Sequence, residues 1–250
     1  TEDPSIEVVG AAPNGAVAMQ LIPQLNPDAI TLDVEMPEMD GLETLIRLRK
    51  LYPALVVIMF STLTARGAEV TIDALTHGAN DYVTKAANVG SLDQSLEKLR
   101  SELVPKIRQF FTFSEAPRRP AVAAAPFRKA VTPRAVGIAV STGGPAALAS
   151  IIPQLPPAFP LPVLITQHMP PLFTRLLADR LQAITTLKVS EAVQGQKIES
   201  GHIYVAPGDY HLKAARRGVH VQVELDQGPP ENSCRPAADV MFRSMHDVWG

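Results

Sequence analysis

Apolar residues in the first 110 positions alternate between short continuous runs and stripes at helical spacing. Ile6-Glu-Val-Val-Gly10 predicts a strand, and Ala16-Val-Ala-Met-Gln-Leu-Ile22 predicts a helix whose connection ends at Pro27. Ala29-Ile-Thr-Leu-Asp33 predicts a buried strand closing on an acid. Leu42 to Leu51 reads as an amphipathic helix. Leu55-Val-Val-Ile-Met-Phe60 is apolar throughout, as expected of a strand covered on both faces. A helix near 67–77, the strand Asp81-Tyr-Val-Thr84 and a helix near 91–110 complete this half. Strands alternating with helices predict a parallel, doubly wound α/β sheet.

The second half begins the same way. Ala135–Val140 predicts a strand, 145–154 a helix, Leu161–Thr166 a strand and 172–182 a helix. Residues 187–225 read as short strands and turns, with strands at Lys188–Ala192, His202–Ala206 and Val219–Glu224. A last helix begins around Ala237. Between the halves, 114–134 holds four prolines and six alanines with a net charge of +4 and no periodic apolar face. That composition predicts a solvated, semi-extended linker. The expected organisation is therefore a domain over 1–113, a linker over 114–134 and a domain over 135–250.

Composition narrows the function classes. The 250 residues are 46% hydrophobic and 19% charged, ordinary usage for a folded chain, with a net charge of −2. No basic excess suggests nucleic acid or an anionic membrane. No apolar run approaches the ~20 residues of a membrane helix. Cys234 is the single cysteine, so no internal disulfide forms. No basic-then-apolar leader is evident, so the expectation is a soluble cytoplasmic protein.

Ligands of open α/β sheets gather at the carboxyl ends of the strands. Asp33, Ser61 and Lys85 each follow a predicted strand, and consecutive members are about one strand–helix unit apart. A carboxylate there can accept a phosphoryl group. A hydroxyl and an ammonium can then bind the phosphoryl oxygens. LDVEMPEMDG, FST and DYVTK make residues 1–110 resemble a two-component receiver domain, which has a flavodoxin-like fold. The resemblance implies that Asp33 is phosphorylated by a partner histidine kinase with Mg²⁺ bound by Asp33 and the Glu35 backbone. It implies that Ser61 and Lys85 sense the phosphate. The family's acidic pair would precede Ser5, and Ala86 stands where receivers usually carry proline.

Ser141 follows an apolar strand and precedes Thr142-Gly-Gly-Pro145 and a helix. Such a turn exposes the hydroxyl, and N–H groups at a helix start can hold an oxyanion. Glycines before a helix also cradle phosphate, and the turn alone does not separate these readings. The absence of G-x-G-x-x-G and of a Walker lysine–serine pair disfavours a nucleotide. A serine nucleophile needs a base, and His168, one strand–helix–strand unit later, is the candidate. His77, His202, His211, His220 and His246 are read as structural or solvated. His202 and His211 lack the spacing of a metal pair.

STGG (141–144), QHMP (167–170), GHIYVAPGDYH (201–211) and GPP…RPAADVMF (228–242) together resemble the chemotaxis protein-glutamate methylesterases, which join a receiver, a linker and a Rossmann-like esterase domain. The resemblance implies Ser141 as nucleophile, His168 as general base and acid, and Thr142 at the oxyanion site. The family's triad aspartate would fall beyond Gly250, so no third member is assigned here. The implied reaction is hydrolysis of glutamyl methyl esters on chemoreceptors, with deamidation of glutamines by the same acyl chemistry. The resemblance further implies that the unphosphorylated receiver covers the Ser141 site and that phosphorylation shifts the population to an open arrangement. No cofactor is expected for ester hydrolysis. A phosphorylation-controlled module that binds receptor or kinase without turnover is the alternative. A DNA-binding output is disfavoured by the near-neutral second half.

Overall fold

A computed structural model describes residues 3–62, 64–85, 92–111 and 132–250. They form two compact units, one on each side of the segment 112–131. The expected linker, apart from 132–134, lies outside the described residues.

The first unit runs α1 (Gly15–Leu25), β1 (Ala29–Asp33), α2 (Gly41–Leu51), β2 (Val56–Ser61), α3 (Ala65–Thr76), β3 (Asp81–Thr84) and α4 (Leu92–Arg108). Its strands are parallel in the order β1-β2-β3. Helices α1, α2 and α3 start on Asn14, Asp40 and Thr64, whose side chains accept N–H bonds from Val17, Glu43 and Gly67. The central strand β2 buries Val57, Ile58 and Met59 completely, as its unbroken apolar run requires. Leu99, Leu103 and Ile107, at helical spacing on α4, pack on Val56, Ile58 and Val83. Arg49 fastens α2 to this layer. Its guanidinium donates to the carbonyls of Gly78 (2.8 Å) and Leu55 (2.7 Å) and to Asn80 Oδ1 (2.8 Å), which also accepts from Val57 N–H.

Two expectations are corrected in this unit. Ile6–Gly10 is not a strand. It joins no ladder among the described residues, and Val8 and Val9 stay 66% and 47% exposed. Strand β1 is less buried than its apolar run suggests, because it lies at the edge of the described sheet; only Leu32 is fully covered.

The second unit contains β4 (Val136–Val140), α5 (Gly144–Ile151), a 3₁₀ turn (Ile152–Gln154), β5 (Val163–Gln167), α6 (Pro171–Ala183), β6 (Lys188–Glu191), β7 (His202–Val205), β8 (His211–Arg217), β9 (His220–Asp226) and α7 (Ala238–Trp249). Four strands form a parallel sheet ordered β4-β5-β7-β6, and β8-β9 is an antiparallel hairpin. Both units are thus α/β with parallel sheets. The predicted helix 145–154 tightens to 3₁₀ geometry where Pro153 removes a donor. The strand expected at Leu161–Thr166 is shifted toward Gln167, beyond Pro162, and this proves important for the site. Strand β8 was missed because its HLKAARR sequence shows only Leu212 and Ala214 as buried apolar residues. The strand expected from Val219 begins at His220, since Gly218 and Val219 form the two-residue loop between the paired Arg217 and His220. Helix α7 covers the hairpin, with Ser244 Oγ accepting the Ala214 N–H at 3.0 Å.

His202 and His211 are built into this unit as structural groups. His211 Nδ1 accepts the Ala237 N–H (3.1 Å), and Nε2 donates to the Pro229 carbonyl (3.1 Å). His202 is buried, stacks on Tyr204 with ring centroids 4.0 Å apart, and shares a 2.9 Å hydrogen bond with Ser190 Oγ. Burial, with the charge of Lys188, lowers its pKa from 6.5 to about 4. The unfolded chain therefore takes up a proton between these values while the folded chain does not. The associated stability is fully present above pH 6.5 and is lost as pH falls toward 4, by roughly 3 kcal/mol. Urea unfolding at pH 7, 5.5 and 4 checks this: His202→Gln is expected to flatten the acid loss relative to the parent.

Candidate functional site

In the first unit, Asp33 ends β1 and Lys85 immediately follows β3. Parallel pairing of both strands with β2 brings these ends to one edge. Lys85 Nζ donates to Asp33 Oδ2 at 2.6 Å, while the Glu35 N–H meets Oδ1 at 3.2 Å. The Lys85 N–H is itself held by the Ser61 carbonyl at 2.6 Å. Gly41 is required beside this acid: a Cβ there would sit 2.1 Å from the Asp33 carbonyl oxygen. Two of the three expected groups are therefore in direct contact.

Ser61 has its backbone at the same edge, but its hydroxyl is occupied elsewhere. It is fully buried, donates toward the Gly67 carbonyl (3.1 Å) and accepts from Thr71 Oγ1 (2.6 Å) on α3. The sequence places the residue, whereas the Thr71 contact that sets its rotamer gives no local signal.

Receivers are associated with Mg²⁺, which takes oxygen ligands in octahedral geometry. Among the described residues no group of three or more His, Cys, Asp or Glu is placed to hold a metal. Asp3, the acid nearest the start of the described chain, is engaged by Arg108 at 2.7 Å and by the Ser5 hydroxyl at 2.6 Å. Asp33 offers carboxylate oxygens and Glu35 a backbone carbonyl, the oxygen type magnesium takes, but these two residues fall short of the ligands an octahedral shell needs. The described residues therefore do not compose a magnesium site by themselves.

In the second unit, β4 and β5 pair in parallel from Val136–Val163 through Val140–Gln167. Ser141 and His168 are the next residue on each strand, so they emerge at one edge from chains about 4.8 Å apart. Both are exposed. The turn after Ser141 closes by a Gly144 N–H bond to the Ser141 carbonyl at 2.8 Å. Its third residue, Gly143, has φ 72° and ψ 0°, the type II geometry that only glycine adopts freely. Nothing lies within 4 Å of a Cβ at Gly143, so conformation alone demands this glycine. Gly144 answers a different constraint: a Cβ there would lie 1.9 Å from Gln167 Oε1. Pro145 follows in the first turn of α5. Thr142 occupies the turn beside Ser141.

No hydrogen bond joins the Ser141 hydroxyl to the His168 ring among the described residues. His168 Nδ1 instead faces Cys234 Sγ at 3.7 Å. Partial desolvation lowers the pKa of His168 below its ordinary value, which favours neutral imidazole near neutral pH. The ring opens on a depression of about 550 Å³ bordered by Met169, Asp209, Cys234 and Arg235. Asp209 is held by the Arg235 guanidinium, which also donates to the carbonyls of Gln227 (3.1 Å) and Gly228 (2.9 Å). Asp209 is thus engaged with an arginine, in keeping with its reading as a turn residue. The RP motif seen in sequence supplies Arg235 as the clamp of this wall.

An exposed hydroxyl beside a neutral imidazole at a helix start suits acyl transfer. Residues 136–250 match the family model for the CheB methylesterase, and residues 1–97 match that for the response regulator receiver domain. A protein-glutamate methylesterase/protein-glutamine glutaminase of Trichodesmium erythraeum (strain IMS101) is 48% identical, covering 100% of this chain and 73% of that protein. One from Nocardioides sp. (strain ATCC BAA-499 / JS614) is 47% identical, covering 97% of this chain and 69% of that protein. The solved Thermotoga maritima CheB methylesterase catalytic domain shares 41% identity over 48% of this chain and 63% of that chain, with a TM-score of 0.46. The chain belongs to the protein-glutamate methylesterase/protein-glutamine glutaminase family, whose receiver and methylesterase parts follow one another along it.

Proposed function

We propose that this chain hydrolyses glutamyl methyl esters on chemoreceptors, and deamidates receptor glutamines, under control of phosphorylation at Asp33. The reading is carried by Ser141 and His168 standing one residue beyond the Val140–Gln167 pair on adjacent parallel strands. Ser141 Oγ attacks the side-chain carbonyl of the substrate as His168 takes its proton. The oxyanion forms beside the Thr142 N–H at the start of the turn. His168 returns the proton to the leaving methoxide, or to the amide nitrogen of a glutamine, which departs as ammonia. Water then attacks the acyl-serine with His168 as base, releasing the carboxylate and restoring Ser141. Nδ1 is engaged by Cys234, so Nε2 is the nitrogen assigned to proton transfer. The third member of the triad is not assigned among these residues.

The organisation we assign is a receiver over 1–113, a linker over 114–134 and a methylesterase domain over 135–250. The phosphodonor is a chemotaxis histidine kinase and the substrate a receptor segment, which puts the reaction in the cytoplasm. No described helix is long and apolar enough to cross a membrane. A phosphoryl group on Asp33 adds oxygens beside the Lys85 ammonium. For Ser61 to bind them, its hydroxyl must leave Thr71 and Gly67, so phosphate favours a second rotamer by its own contacts. A binding module without turnover would not require an exposed serine and a partly desolvated imidazole at neighbouring strand ends.

Methanol release from methylated receptor membranes tests the site. Ser141→Ala is expected to abolish release, with loss on the order of 10⁴-fold or more; undiminished release overturns the assignment.

The acid limb of the kcat/KM profile reports the free-enzyme base. Because the pKa of His168 is lowered, activity is expected to persist below pH 6.5 and fall only at more acid pH. A limb centred above that value would exclude His168 in this environment.

Acetyl phosphate is expected to raise the rate in the parent protein and leave Asp33→Asn unchanged. An equal rise in the mutant would remove Asp33 as the switch.

A further inference from the structure

Gln167, in the QHMP motif, takes no part in the steps above, yet its side chain is buried at the end of β5. It is 3% exposed and is the register partner of Val140 at the end of β5. Its Nε2 donates to the Ser141 carbonyl at 3.1 Å, with the His168 carbonyl at 3.5 Å as a longer contact. The amide therefore lies between the backbones of the two residues assigned to the chemistry. Its other end fills the space that the missing side chain of Gly144 leaves.

Among the described residues, no group hydrogen-bonds to the buried Gln167 Oε1. An unmet acceptor in the interior is destabilising, and an apolar side chain of the same length would avoid that cost. The Ser141 carbonyl would not be orphaned by such a change, because the Gly144 N–H already bonds to it. Stability alone therefore gives little reason for glutamine at this position. Geometry gives one. The Ser141 hydroxyl and the His168 ring share no hydrogen bond among the described residues, so their separation is set by their backbones.

We propose that Gln167 is a positioning residue for Ser141 and His168, tying the nucleophile's turn to the strand that carries the base. This rests on the esterase reading above. It also explains the second glycine of the STGG motif: Gly144 is small so that the Gln167 amide can enter the turn.

The test compares the parent chain with Gln167→Met and Gln167→Glu. Methionine keeps the length and removes the donor, while glutamate keeps the shape and turns an acceptor toward the Ser141 carbonyl. Both variants are expected to lose kcat on the order of 10²-fold with KM unchanged, since small misplacements of reacting groups carry penalties of that size. Labelling of Ser141 by a fluorophosphonate is expected to slow in parallel. The thermal midpoint of Gln167→Met should be equal to or above that of the parent. Should methionine fail to fold, the glutamate variant decides. Parent-like kcat and labelling would overturn the proposal, as would a loss that merely tracks the fraction unfolded. Ser141→Ala, measured alongside, separates two failures. If it retains turnover, the esterase reading falls. If it is silent while Gln167→Met is parent-like, only the positioning role falls.

Discussion

The structural constraint on which the esterase reading depends is the parallel pairing of β4 with β5. Two parallel strands joined by a helix must end at the same edge, so residues that follow them emerge together. The register sets the detail: with Val140 opposite Gln167, Ser141 and His168 are the first side chains beyond the ladder. A one-residue slip would turn one of them to the other face. The buried runs Val163–Gln167 and His202–Val205 at the centre of the sheet hold that register. Burial in the sheet is thus coupled to chemistry at its rim.

The same logic operates in the first unit with different side chains. β2 is the buried central strand, and its neighbours bring Asp33 and Lys85 into a 2.6 Å ion pair at one edge. Here the carboxylate is met by a fixed cation, suiting it to hold added negative charge. In the second unit the exposed hydroxyl and a partly desolvated imidazole stand at adjacent strand ends, which on the esterase reading suits them to moving a proton. Neither difference follows from the fold. Each follows from which residue stands one place beyond a strand.

Much of this was legible because strand ends are marked in sequence by the switch from apolar runs to polar or glycine residues. That signal marks Asp33, Ser61, Lys85, Ser141 and His168, and each lies at or just beyond the end of a strand. It failed where burial depends on distant neighbours. Ile6–Gly10 has the composition of a strand but no ladder among the described residues, and β8 is a strand with the composition of a loop. The rotamer of Ser61 depends on Thr71, and the environment of His168 depends on Cys234 some 66 residues later. Gln167 lies just past the expected strand end at Thr166, where nothing local in the sequence marks a buried amide. Its burial became intelligible only with Gly144 beside it.

The two glycines of the turn show why a motif read as a string understates its physics. At Gly143 a side chain would have ample space but the wrong backbone angle. At Gly144 a Cβ would fall 1.9 Å from Gln167 Oε1 and 2.9 Å from the Val140 Cβ, so the amide would have to leave its present place. One glycine shapes the turn and the other admits the amide that holds it. With Pro145 in the first turn of the helix, the segment has little conformational freedom, and on the esterase reading its backbone presents the hydroxyl already in place. Such preorganisation matters most where no resting hydrogen bond holds the reacting pair together, because the contact must then form during the reaction from positions the backbone has already set.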